Sequence, residues 1–162
     1  MLTAETVRKL LDYEPETGVF RWRVDASSRA RKGMVAGWVK GGYVMIKISG
    51  ETYRAHRLAW LHVHSCWPPE HIDHANGNRA DNRLANIRAA TNSQNSANKS
   101  VQRNNDLGLK GVSFCKRSNR YRATISVKGR KSHLGYFKTP DEAHSSYCVA
   151  ASRFFGEFAR FE

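Results

Sequence analysis

Long apolar runs are missing from this 162-residue sequence, and no stretch approaches the roughly 18 consecutive apolar residues that cross a bilayer as a helix. A membrane-spanning helix is therefore not expected. The opening Met1-Leu2-Thr3-Ala4-Glu5 lacks the basic and apolar regions of a signal peptide, so a cytoplasmic location is expected. Cysteine is scarce too. Cys66, Cys115 and Cys148 are odd in number, far apart and never spaced as Cys-x-x-Cys, which excludes a disulfide framework and a cysteine-built zinc site. Buried small hydrophobes are the expectation for all three. Acidic residues are the third shortage, with 14 Asp and Glu against 27 Lys and Arg, a net charge of +13. Self-repulsion of that size costs stability unless something anionic is bound, so the composition speaks about partners. Nucleic acid, a membrane surface and an acidic protein all remain open on charge alone.

What is present is organised in two parts. Thr3–Tyr13 has Val7, Leu10 and Leu11 at helical spacing, and Glu14 to Gly18 ends it as a turn. Val19–Arg23 alternates as a strand, Tyr43–Ile48 and Thr52–Arg57 form a strand pair about Ser49-Gly50-Glu51, and Leu58–Val63 suits a helix. From Glu70 to Asn98 apolar residues thin out, and Asn, Asp and His crowd together. A polar, Asn-rich linker follows, assigned to residues 100–107. From Gly108 onward the pattern is three short strands and one helix. That helix is the best specified element: Thr139 caps, Pro140 opens, Glu142 closes the box, and Gly156 stops it. Ala143, Tyr147, Ala150, Ala151 and Phe154 form its expected apolar stripe. The expected class is α+β with two small domains, 1–99 and 108–162. Residues 1–104 hold 16 basic and 9 acidic side chains, so the positive charge is not a detachable C-terminal tail.

The stretch His71-Ile72-Asp73-His74-Ala75-Asn76-Gly77-Asn78 reads as a short strand entering an Asn-Gly turn, with Asp73 and His74 at its mouth. Leu84–Arg88 reads as the returning strand, and Thr91 with Gln94 starts a helix that carries Asn95 in or just past its first turn. Two strands and a helix would gather Asp73, His74, Asn86 and Asn95. Phosphodiester cleavage needs a base near neutrality, for which His74 is suited. It also needs a cation to polarise the phosphate; the carboxylate of Asp73 and the amide oxygen of Asn95 are hard donors suited to Mg²⁺. An Asp-His pair in an Asn-rich stretch is equally well a plain surface turn, and chemistry alone leaves the two readings level.

The spacing carries more. Ala55-His56-Arg57-Leu58, Ile72-Asp73-His74-Ala75-Asn76-Gly77-Asn78, Asp81-Asn82-Arg83, Asn86-Ile87-Arg88 and Thr91 to Asn95 resemble the HNH endonucleases of phages and mobile introns, across about residues 1–99. The resemblance implies a ββα-metal nuclease domain, one divalent ion on Asp73 and Asn95, His74 as general base and Asn86 fixing the base's orientation. Asn95 stands where many such enzymes have a histidine, which implies Mg²⁺ or Mn²⁺. His56 reads as a structural, hydrogen-bonded histidine.

In the C-terminal part, alternation in Arg120–Val127 separates Tyr121, Ala123, Ile125 and Val127 from Arg120, Arg122, Thr124 and Ser126. Lys131 and His133 join the second face, with Lys116 and Arg117 at the preceding turn. Such a face can lie in a DNA major groove, or can be an ordinary wet sheet face. Gly111-Val112, Tyr121-Arg122-Ala123, His133-Leu134-Gly135-Tyr136-Phe137, Thr139 to Ala143 and Tyr147 to Ala151 resemble the plant APETALA/ethylene-response-factor DNA-binding domain. This implies a three-stranded antiparallel sheet reading DNA with one helix behind it. Ser113, Phe114 and His133 depart from that family's arginines and tryptophans, so no target sequence carries over. The expected whole is a monomeric, metal-dependent DNA endonuclease of the phage homing type, acting on double-stranded DNA without a small-molecule cofactor; a dimer would serve a double-strand break. The alternatives are a catalytically inactive DNA-binding regulator and a structured-RNA binder.

Overall fold

The computed structural model describes residues 2–102 and 104–162; Arg103, inside the expected linker, lies outside the described residues. The chain forms two compact units, one ending at Ala89 and the other beginning at Ala90. No helix among the described residues is long and apolar enough to cross a membrane.

The first unit opens with helix α1 (Ala4–Leu10), capped by the Thr3 hydroxyl, which accepts from Thr6 N. The helix is shorter than its apolar spacing suggested. Leu11–Glu14 is instead strand β1, paired antiparallel with β2 (Val19–Trp22) so that Leu11 faces Trp22 and Tyr13 faces Phe20. Leu10 and Leu11 satisfy either period, and cross-strand pairing with a buried aromatic decides for the strand. A three-stranded antiparallel sheet follows, β3 (Trp38–Lys40), β4 (Tyr43–Ile48) and β5 (Glu51–Arg54). Helix α2 (Ala55–His64) starts at once, three residues earlier than expected, and ends on Ser65 in the left-handed region. Val7, Leu11, Ile46, Leu58 and Leu61 fill the core of this unit. Strand β6 (His71–His74) then pairs with β7 (Ile87–Ala90), the two joined through a loop and a single 3₁₀ turn at Leu84–Asn86.

The β1–β2 turn has a consequence for that loop. Gly18 sits at φ +73°, and a Cβ there would come within 2.4 Å of Arg83 N and 2.5 Å of Asn82 C. The turn is thus pressed against the loop's backbone, and Leu84 N donates to Pro15 O at 3.0 Å. Tyr13 adds a buried hydrogen bond from its hydroxyl to Asn82 O at 2.7 Å. Burial, Asp81 and Glu14 push the Tyr13 phenol up to about 12, so it stays a donor at any ordinary pH.

In the second unit, α3 (Asn92–Ala97) has the expected capping box between Thr91 and Gln94. Its Ala97 is buried in one core cluster with Ile125, Tyr147, Ala151 and Phe155. The side chain of Lys110 reaches three carbonyls: Ala97 O, Lys99 O at 2.6 Å and Arg160 O at 2.9 Å. Strands β8 (Val112–Cys115), β9 (Arg120–Val127) and β10 (Arg130–Phe137) form an antiparallel sheet with β9 central, and α4 (Pro140–Phe155) packs against it. The Thr139 capping box and the Gly156 stop are both formed. The stripe differs from the expected one: Ala143, Tyr147, Ala151 and Phe155 are buried at strict four-residue steps, whereas Ala150 is half-buried and Phe154 is 54% exposed. The cysteines are unpaired and not fully buried; Cys66 is exposed, Cys115 and Cys148 half-buried.

Candidate active site

The loop after β6 is held by its own asparagines. Gly77 N donates to His74 O at 2.8 Å, closing the Asn-Gly turn. Asn76 Oδ1 accepts from Asn78 N at 2.8 Å and Asn78 Oδ1 from Ala80 N at 3.1 Å, two consecutive side-chain turns of the kind asparagine favours. Asp81 gathers the Arg83 guanidinium (2.9 and 2.6 Å) and the Asn76 amide at 2.7 Å. Those donors, Arg83 foremost, hold its carboxyl down at about 2. Asn86 is buried and spends both side-chain atoms on this loop: Oδ1 accepts from Asn76 N at 3.0 Å and Nδ2 donates to Asp81 O at 2.8 Å. The Asn-rich composition is thus the scaffold of one tight loop.

Asp73 and His74 are both buried, at 3% and 4% exposure. Burial on successive residues breaks the in-out alternation of a wet-faced strand, so each side chain lies under cover. Asp73 Oδ2 accepts from Arg88 Nε at 3.0 Å and Nη2 at 2.9 Å, a forked ion pair supplied by β7. The His74 ring stands edge-to-face with His56, centroids 4.9 Å apart at 89°, and 6.2 Å from Tyr43. Burial lowers the His74 pKa below the ordinary imidazole value; an interaction with the Asn82 side chain and the charges of Asp73 and Asp81 oppose that fall, and Arg79 adds to it. A neutral imidazole at neutral pH is the form that can accept a proton.

Two side chains carry more of this arrangement than their place in the sequence suggested. Asn82, 2% exposed, is near enough to bear on the His74 pKa while its Nδ2 donates to Ala80 O at 3.1 Å, and the Asn86 side chain is likewise hydrogen-bonded to the loop backbone. Its signal was the Asp81-Asn82-Arg83 run, where a loop asparagine is flanked by an ion pair. His56 is buried but its Nδ1 has no hydrogen-bond partner, so it is a packed ring where a hydrogen-bonded one was expected. Burial, then His74, Arg54 and Arg57, push its pKa down to about 3.

Asn95 lies half-buried on α3 with its backbone N–H bonded to Thr91 O at 2.9 Å, and α3 belongs to the second unit. Among the described residues no group of three or more His, Cys, Asp and Glu side chains could enclose a metal ion. The donor types expected for the ion, a carboxylate and an amide oxygen, suit a hard ion that keeps several waters, as Mg²⁺ does, and do not suit a closed zinc cage.

The second unit places the expected DNA-facing residues along one sheet face. Arg122 lies opposite Ser113 on β8 and Tyr136 on β10, Thr124 opposite His133, and Ser126 opposite Lys131. The register shifts between His133 and Gly135, which brings Tyr136 back to that face, its ring 4.7 Å from His133. Arg120, Lys131 and His133 are exposed, as are Lys116 and Arg117 in the β8–β9 turn; Thr124 is half-buried. Arg122 is half-buried as well, its Nη2 3.4 Å from Ser113 Oγ and its Nε buried without a partner.

Residues 53–97 match the family described as HNH endonuclease, a span that contains Asp73, His74, Asn82, Asn86 and Asn95. An uncharacterized HNH endonuclease of Acanthamoeba polyphaga mimivirus is 34% identical over 89 residues, covering 55% of this chain and 45% of that protein. The chain therefore spans less than half the length of that relative. Protein 3.8 of Escherichia phage T7 is 31% identical over 111 residues, which cover 67% of this chain and 89% of the phage protein.

Proposed function

Given that the chain belongs to the HNH endonuclease family, we propose that it hydrolyses DNA phosphodiesters with the aid of one divalent ion, His74 acting as the general base. The observation that carries this reading is the buried Asp73–His74 pair, its imidazole kept neutral and walled by the rings of His56 and Tyr43. Asp73 and Asn95 would hold the ion, Mg²⁺ or Mn²⁺, which when bound supplies charge to polarise the phosphate and stabilise the leaving oxygen. Arg88 fixes the Asp73 carboxylate in place from β7, and the His56 ring packs edge-on against the His74 ring. Asn86 acts on the base at one remove, by holding the loop in which His74 ends the strand.

Binding is the task of the cationic faces. Lys116, Arg117, Arg120, Arg122, Thr124, Lys131 and His133 would grip duplex DNA, mostly through phosphates, on a sheet of the APETALA/ethylene-response-factor kind. One site per chain would give a nick, and the setting proposed for it is a mobile, homing-type element of a phage acting in the host cytoplasm.

Supercoiled plasmid incubated with Mg²⁺ or Mn²⁺ tests the reading. Nicking that EDTA abolishes, and that His74→Ala loses while still binding DNA, is the expected result. One observation favours a second reading, a DNA-binding regulator that does not cut: the Arg88 guanidinium already pairs with the Asp73 carboxylate that would have to hold an ion. Tight binding with no nicking in any divalent ion would decide for the regulator.

A further inference from the structure

Five arginines lie between residues 54 and 88, and three of them are already engaged. Arg83 is paired with Asp81 and Arg88 with Asp73. Arg57 packs 5.7 Å over the Trp67 ring and donates to Glu70 O at 3.2 Å. Arg54 and Arg79 differ. Both are exposed, and among the described residues neither forms a salt bridge with a carboxylate. Both converge on one ring: Arg54 Cζ lies 4.5 Å and Arg79 Cζ 5.2 Å from the Tyr43 centroid. That ring is in turn 5.4 Å from His56 and 6.2 Å from His74.

Their placement is built from the backbone. Arg54 ends β5 opposite Met45 of β4, the strand that Tyr43 begins. Arg79 comes from the Asn-rich loop, and its Cδ would lie 3.9 Å from a Cβ at Gly42, which sits at φ +81°. Two like charges drawn to one aromatic ring repel each other unless an anion offsets them, and the quadrupole of a tyrosine offsets only part of that cost. Guanidinium presents its donors in a planar fork that matches a phosphate, and stacking on an aromatic ring leaves the fork's edge available.

We propose that Arg54 and Arg79, seated on Tyr43, form an anion site for a backbone phosphate of the DNA beside His74. The site rests on the nuclease reading for the identity of its ligand, and it deepens that reading by naming the cations that hold the strand against the base. Tyr43 is a platform and touches no reacting atom. The two arginines are binding groups that position the phosphate.

The test is equilibrium binding of a short fluorescent duplex to the full chain in EDTA, where cleavage is silent, at salt from about 50 to 200 mM. Arg54→Gln with Arg79→Gln is expected to weaken binding about tenfold at the low end and to flatten the log–log salt dependence by roughly one, the loss of one phosphate contact. Tyr43→Leu keeps both charges and is expected to weaken binding with a smaller change of slope. Lys9→Gln, on a lysine already paired with Glu5 at 2.8 Å, is the control and should leave the slope as it was. A double variant with the parent's affinity and slope overturns the proposal. Should that variant fail to fold, the guanidinium NMR signals of Arg54 and Arg79 in the unmutated chain answer instead: shifts on adding duplex support the site, and unmoved signals overturn it. Plasmid nicking in Mg²⁺ separates the two claims. A flattened slope without nicking leaves the anion site and sinks the nuclease; nicking with an unchanged slope does the reverse.

Discussion

His56 makes the first unit acid-sensitive, and the size of the effect can be worked out. The ring is 4% exposed, its Nδ1 has no partner, and its neighbours His74, Arg54 and Arg57 all oppose a further positive charge. Its pKa falls from an ordinary 6.5 to about 3 on folding. For a group that the fold keeps neutral, the unfolded chain binds the extra proton between those two values. Stability is therefore complete above pH 6.5 and drains away as pH falls toward 3. At ~1.4 kcal/mol per tenfold change in proton activity, the whole window is worth about 5 kcal/mol, of which about 2 kcal/mol falls between pH 7 and pH 5. That is a large share of the ~5–15 kcal/mol that holds a typical domain together. Burial also lowers His62 and His74, which add to the decline, so the informative quantity is the difference between the parent and His56→Gln. All four tryptophans (Trp22, Trp38, Trp60 and Trp67) belong to the first unit, and their emission during urea unfolding reports it alone. The parent's midpoint should fall by ~1–2 M from pH 7 to pH 5 at a slope of ~1–2 kcal/mol per molar urea. The variant, less stable at pH 7, should show a clearly flatter decline. Equal pH dependence in the two proteins would refute the argument.

Two further outcomes are expected. Gly18→Ala forces a Cβ into the Asn82–Arg83 backbone and places alanine at φ +73°, so it should cost ~2 kcal/mol or more in urea unfolding and depress nicking through the displaced loop; a neutral result would mean that the β1–β2 turn does not brace the site. Thr139→Ala removes the α4 cap and should destabilise the second unit by ~1 kcal/mol, read by far-UV circular dichroism, while tryptophan emission stays unchanged.

How much could be read in advance follows from how local each determinant is. The Thr139 and Thr91 boxes declared both helix starts because cap, first turn and closing side chain lie within four residues. The alternation in Arg120–Val127 likewise placed Ala123 and Ile125 inside. Leu11–Glu14 misled because its fate depends on Trp22 and Phe20, partners that no local pattern reveals. Phe154 and Phe155 are both apolar neighbours near the end of α4, and only the packing chose the second. At the site, the run from Asp73 to Asn86 was conspicuous, but its internal wiring was not: an asparagine can hydrogen-bond backbone or side chain, and that Asn82 and Asn86 both turn to the loop backbone is something only the loop's path determines.

The ammonium of Lys110 fastens the end of a six-residue helix to the chain's last few residues, and Ala97 of that helix beds down among side chains from β9 and α4. So short a helix has little intrinsic persistence and borrows its order from that bed. The seam in packing thus comes before the seam in composition. Asn95, the amide on which metal binding would draw, has its footing in the half of the protein that sequence alone would assign to gripping DNA. A fragment trimmed at the polar stretch after residue 99 would leave that helix without its anchor.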